Sequence, residues 1–287
     1  MSHKDDHNRH KELYKDLSVD CEKCFGFCCV ALFFSASEGF PTNKDAGKPC
    51  INLQSDFTCT IHKDLRKKGL KGCTAYDCFG AGQKVAQVTY AGQDWKQVPE
   101  SENQMFDVFL IMRQLHEMLW YLTEAFKRPV DNPIKEELSY MISETEGLTR
   151  LSAEEIIGLN VDAHRKKVND LLSKISELVR SKAQRGKMVS LKRKKTIAGR
   201  LDCIGVDFRK TNLRGADLRG AFLIASNMSG ADLSGVDFIG ADLRDADLRG
   251  ADLTDSIFIT QSQINTAKGD SNTKLPMSLV RPKYWDK

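Results

Sequence analysis

The sequence predicts a multidomain α+β chain of three parts: a cysteine-rich N-terminal domain, a helical middle and a C-terminal solenoid. Three observations predict it. Eight of the nine cysteines fall between Cys21 and Cys78. Residues 101–185 carry apolar residues at helical spacing. From residue 201 onward the chain repeats every five residues.

Residues 1–20 are polar, with His3, His7 and His10, and read as a flexible tail with no apolar core of a signal peptide. No apolar run approaches a membrane span, so no membrane partner is expected and the cytoplasm is the expected location. Thiols stay reduced there, and clustered cysteines are more often metal ligands or redox groups than disulfides. The net charge of +4 is too small to name a partner.

Residues 21–100 form the cysteine-rich domain. The spacing is C-x2-C-x3-C-C over Cys21, Cys24, Cys28 and Cys29, then Cys50, then C-x-x-H at Cys59 and His62, then Cys73 and Cys78. A C-x2-C turn lets two thiolates reach one metal, with nearby backbone amides donating to sulfur. Four such ligands suit zinc or an iron–sulfur cluster. The eight thiols suffice for one site with spares or for two four-ligand sites. Adjacent Cys28 and Cys29 should point apart, so only one joins Cys21 and Cys24 easily. His62 reads equally as a ligand, a donor to a ligand, or a surface residue. Gly and Lys are frequent and periodicity is weak, as in a small domain held together by metal instead of a large core. "FGAGQKVAQ", 79–87, lacks phosphate-loop spacing and reads as a turn.

Residues 101–185 form the helical domain. The stretch from Met105 to Phe126 is apolar nearly all round and predicts a buried central helix. Asn132 as N-cap before Pro133 predicts the next helix, with Gly147 as its stop. Ser152 and Glu155 predict a capping box. The longest helix is expected from near Asp162, with Val168, Leu171, Leu172, Ile175, Leu178 and Val179 as its stripe. His116, Trp120 and Glu124 share one face of the central helix. A core histidine is the simpler reading than an acid–base pair.

Residues 186–200 form a basic linker. The wider stretch 181–200 carries eight basic residues and no acidic one. It reads first as a solvated connection, and second as a nucleic-acid contact spanning 182–200.

Residues 201–260 form the solenoid. Its central position holds Cys203, Phe208, Leu213, Leu218, Leu223, Met228, Leu233, Phe238, Leu243, Leu248, Leu253 and Phe258. Two residues earlier stands a small one, often alanine, as at Ala216, Ala221 and Ala231. A period of five fits neither helix nor flat strand, but fits a coil whose corners recur every fifth residue. The lone Cys203 reads as a core filler. Residues 261–287 should cap the coil, closing it with Leu275, Pro276, Pro282 and Trp285.

The pattern resembles the pentapeptide-repeat family, A(D/N)LXX, and that resemblance implies a right-handed quadrilateral β-helix with four repeats per coil. Twelve repeats would make three coils, roughly 14 Å tall. Ile204 and Ile224 would then stack, as would Ile239 and Ile259. Phe222 and Ile224 are expected to pack on the helices, while Arg209, Arg214, Arg219 and Arg249 stay open. A homodimer is expected if that apolar pair is exposed. DNA mimicry needs an acidic rod, whereas here Asp alternates with Arg.

The cysteine order resembles the putative zinc- or iron-chelating cysteine-cluster family, on "CEKCFGFCC", Cys50, "CTIH" and "GCTAYDC". That resemblance extends to a region of flagellin lysine methylases thought to hold an iron–sulfur centre. No cosubstrate motif, nucleophile elbow or dinucleotide fingerprint accompanies it, which leans against an enzyme. The leading expectation is a metal-binding scaffold using zinc or iron, with a protein partner on the solenoid. The alternatives are an iron–sulfur redox or modifying enzyme and a nucleic-acid-associated regulator.

Overall fold

The computed structural model describes residues 13–184 and 195–286. The tail histidines and most of the basic stretch lie outside them, so the nucleic-acid reading does too. The chain divides into two compact units, one ending at Leu172 and one beginning at Ser173.

The first unit is helical. Short helices α1 (Phe27–Ala31), α2 (Lys71–Ala75) and α3 (Ala81–Lys84) precede α4 (Glu102–Phe126). Then come α5 (Asn132–Leu148), α6 (Ala153–Ile157) and α7 (Val161–Gln184), whose residues to Leu172 belong here. Helix α4 is the predicted central helix. Met105, Val108, Phe109, Met112, Leu115 and Leu122 are fully buried on it. It packs against α1, α3, α5 and α6, and Pro129 prevents its continuation.

Several expectations need correction. The cysteine-rich segment is not a domain apart from the helices. Phe27 of α1 stacks on Phe109 of α4, with ring centroids 5.4 Å apart. The segment thereby shares a core with α4 that also includes Val30, Val85 and Trp95. Residues 79–87 are not a turn: after Gly80 they form α3, which runs into a π-helical turn at Val85–Thr89. The N-cap of α5 is Asp131, whose carboxylate accepts from the Ile134 amide at 3.2 Å. Asn132 is already helical. The capping box of Ser152 and Glu155 forms as expected. Helix α7 begins at Val161 and, at 24 residues, is one shorter than α4. Its Leu178 is exposed, not part of the buried stripe.

The second unit begins with residues 173–184 of α7 and includes a hairpin, β1 (Thr196–Ile197) and β2 (Arg200–Leu201), antiparallel. Of those residues, Thr196, Ile197 and Arg200 were expected to be linker. Ala198 and Gly199 both take positive φ, the geometry of a tight two-residue hairpin turn. Beyond it, parallel bridges join residues twenty apart: Asp202 to Phe222 to Asp242, and Asp217 to Asp237 to Ile257. Four five-residue repeats therefore make one coil. All twelve central side chains, Cys203 included, are buried. The coil continues past the repeats, through bridges Asp247–Lys268 and Asp252–Lys274. Between them and the last repeat stands α8 (Gln261–Thr266). Trp285, Pro276 and Pro282 are buried, and Leu275 packs on the solenoid core, as the cap requires.

The expected partition of the solenoid faces is reversed in part. Residues 173–184 of α7 cover the face that carries Arg214 and Arg219. Arg219 Nη1 donates to Ser173 Oγ at 2.7 Å, and Arg214 Nε to the Ala183 carbonyl at 2.8 Å. The glycine corner explains the choice, because a Cβ at Gly235 would lie 2.4 Å from Ala183 Cβ. Arg209 and Arg249 do remain exposed, each paired with its own repeat's Asp207 or Asp247. The Phe222 ring is covered by Arg200, whose guanidinium sits 4.0 Å from the ring centroid.

Candidate metal centre

The cysteines are positioned by turns, not by long elements. Cys21 opens a 3-10 turn capped by the Asp20 carboxylate. Cys24 follows in extended conformation, and Gly26, at φ 67°, turns the chain into α1. Cys28 and Cys29 lie on α1. The Cys50 amide donates to the Cys29 carbonyl at 2.9 Å, which ties the next segment to that helix. A bridge of Leu53 with Cys59 then brings the C-x-x-H element back. Cys73 is on α2, and Cys78 stands before α3.

Six of the eight thiols, Cys21, Cys28, Cys29, Cys59, Cys73 and Cys78, line one cavity of about 200 Å³ together with His62. Cys24 is not part of that lining; its sulfur sits against Gly82, where a Cβ would fall 2.5 Å from it. Backbone amides donate to three of the sulfurs. Gly26 and Phe27 serve Cys24, Gly80 and Gly82 serve Cys78, and Ile61 and His62 serve Cys59. Such amide donors stabilise a thiolate, the form that binds metal. His62 is exposed, with Nε2 4.0 Å from Cys21 Sγ.

Burial works against ionisation. It pushes the Cys21 thiol up to about 11, and those of Cys24 and Cys73 to about 12, with neighbouring thiols adding to it. The Cys28–Cys29 hydrogen bond sends the first up and the second down, helped for Cys29 by the Lys44 ammonium. A bound cation would reverse that penalty by supplying the missing charge.

The donor set thus fits a soft metal in its chemistry. Tyr76 also lines this cavity, and its buried hydroxyl has no hydrogen-bond partner among the described residues. A buried hydroxyl left unmade costs about 1–3 kcal/mol. Yet among the described residues no three His, Cys, Asp or Glu side chains converge closely enough to hold an ion. Sequence reasoning missed Tyr76, Lys44, Gly82 and the apolar rim of Phe33 and Phe34. None of these has a motif, since each is recruited by the fold.

The second candidate pair does not form a site. His116 is buried, with Nδ1 2.7 Å from the Phe79 carbonyl to which it donates, and Glu124 is paired with Lys127. The histidine is a satisfied core residue. No described helix is long and apolar enough to cross a membrane.

A family model, pentapeptide repeats, matches residues 196–223, 202–238 and 223–255. No solved structure matches the chain. The chain is 59% identical over 276 residues to a protein of Bacillus subtilis (strain 168) named "Uncharacterized protein YybG". That match covers 96% of this chain and 97% of the relative. With repeats in its C-terminal unit and identity of this extent along its whole length, the chain belongs to the same family as YybG and carries pentapeptide repeats.

Proposed function

We propose that the protein is a metal-binding interaction scaffold. The N-terminal cysteines hold zinc or iron, and the solenoid receives a protein partner. The observation that carries this reading is the gathering of six thiols and His62 around one cavity, with backbone amides already directed at Cys24, Cys59 and Cys78. Bound there, the metal would supply positive charge and cross-links between turns that lie far apart in sequence. The chain's own part is to present Cys21, Cys24, Cys28, Cys29, Cys50, Cys59, Cys73 and Cys78, with His62 at the mouth, and to limit water with Phe33, Phe34 and Leu65. On the solenoid, the open face carries Arg209 and Arg249 with their aspartates. Alternating charge of this kind suits a protein surface better than a polyanion.

A second reading, an iron–sulfur redox or modifying enzyme, draws support from the apolar space beside the thiols, which leaves room for a small substrate. Anaerobic purification followed by absorption spectroscopy and assay of zinc, iron and acid-labile sulfide separates the two. Stoichiometric zinc without colour supports the scaffold. Iron with sulfide and absorption near 400 nm favours the enzyme. A chain that neither carries nor takes up metal removes both.

A further inference from the structure

We propose that the eight N-terminal cysteines divide into two four-thiol metal sites: Cys21, Cys24, Cys28 and Cys78 in one, and Cys29, Cys50, Cys59 and Cys73 in the other. This rests on the metal-binding reading above and adds the number of sites and the membership of each.

The division follows from packing. Cys24, Cys28 and Cys78 pack against the core built on α4. Cys50 is part of a separate small core with Phe34, Phe40 and Leu70, and Cys29 and Cys73 pack on that one. The step from one to the other is the Cys28–Cys29 peptide. Successive residues of a helix point about 100° apart, so α1 packs Cys28 on one core and Cys29 on the other, while the two thiols stay within hydrogen-bond reach of each other.

Backbone links keep each set together. Gly82, four residues after Cys78 and on α3, abuts the Cys24 sulfur, and only a glycine leaves room for it. On the other side the Cys50 amide is bonded to the Cys29 carbonyl, and the hairpin pairing Leu53 with Cys59 leads back to the same place. Cys24 lies near Cys78 and Cys21, and Cys73 near Cys29, Cys50 and Cys59, while the hydrogen-bonded Cys28 and Cys29 mark the boundary. Cys21 also faces both sets, with Cys78 as its first thiol neighbour and Cys29 as the next.

Lys44 adds a cation beside the second set. Its ammonium is influenced by Cys50 and Cys29, and it donates to the carbonyls of Val30, Asp45 and Lys48, which fix it there. No three sulfurs converge among the described side chains, so closing either site requires side-chain rotation.

The test is to load the full-length chain anaerobically with ¹¹³Cd²⁺, count bound cadmium by native mass spectrometry and record the cadmium NMR spectrum. Two ions per chain and two resonances in the all-thiolate range are expected. Cys78→Ser should displace one resonance and Cys73→Ser the other. One ion per chain overturns the two-site division and leaves the metal-binding reading standing; no ion overturns both. Displacement of the same resonance by both substitutions overturns the assignment. The wild-type count decides the number of sites even if a variant fails to fold.

Discussion

At the scale of single residues, the aspartates of the repeat have a local task. Oδ1 of Asp202, Asp207, Asp217, Asp242 and Asp247 accepts the amide two residues on, at 3.1–3.2 Å. These Asx-turns close the corners, and asparagine does the same at Asn212 and Asn227. The sequence pattern A(D/N)LXX made the position visible, but not that the carboxylate bonds its own backbone. The last position of most repeats takes a positive φ. Glycine usually stands there, and Ala225 does so at 53°. A left-handed residue other than glycine costs about 1–2 kcal/mol, partly offset by the greater unfolded-state freedom of glycine. Ala225→Gly should therefore raise stability by about 0.5 kcal/mol in a denaturant titration. Asp242→Ala should lower it by about 1 kcal/mol, while Asp242→Asn stays near wild type. His116 supplies a pH dependence. Burial pushes its pKa down to about 4 from 6.5. Between those values the unfolded chain binds a proton that the folded one refuses, so stability is full above about 6.5 and falls as the pH drops towards 4. The shift corresponds to about 3 kcal/mol. Unfolding titrations at pH 7 and pH 4.5 should show His116→Gln with a flatter dependence than wild type. Parallel dependences would contradict this account.

At the scale of elements, the predicted helices were legible because their apolar spacing is strong. The short ones, α1, α2 and α3, were not. Each is four or five residues long, too brief for periodicity to register. The covering of the solenoid was misread for a physical reason. Arg214 and Arg219 look like solvent residues, but their long side chains bond α7 while Gly215 and Gly235 admit it closely. Gly235→Ala combines a φ of +68° with a clash against Ala183. It should cost about 2 kcal/mol and lower the thermal midpoint. Gly230, with the same φ but nothing within 4 Å of its added Cβ, isolates the backbone part of that cost when changed to alanine.

At the scale of the whole molecule, the solenoid was readable almost to its ends, because a five-residue repeat fixes both interior and corner. The union of the cysteine-rich segment with the central helix was not, since Phe27 meeting Phe109 is a tertiary contact without a local pattern. The thiols were legible as a set; the packing of six of them on two different cores was not. Each unit has its own core, and the three tryptophans report on them separately: Trp95 and Trp120 in the first, Trp285 in the second. Chelation should lower the unfolding midpoint of the first unit, followed in a Trp285→Phe variant. The second, followed in a Trp95→Phe/Trp120→Phe variant, should change little.

The most direct measurement of the central claim is thiol alkylation of the native, anaerobically prepared chain, mapped by mass spectrometry with and without a strong chelator. Cys21, Cys59 and their six partners should be protected together and become reactive on chelation, while buried Cys203 stays unreactive until unfolding. Equal labelling of Cys21 to Cys78 in both samples would contradict it.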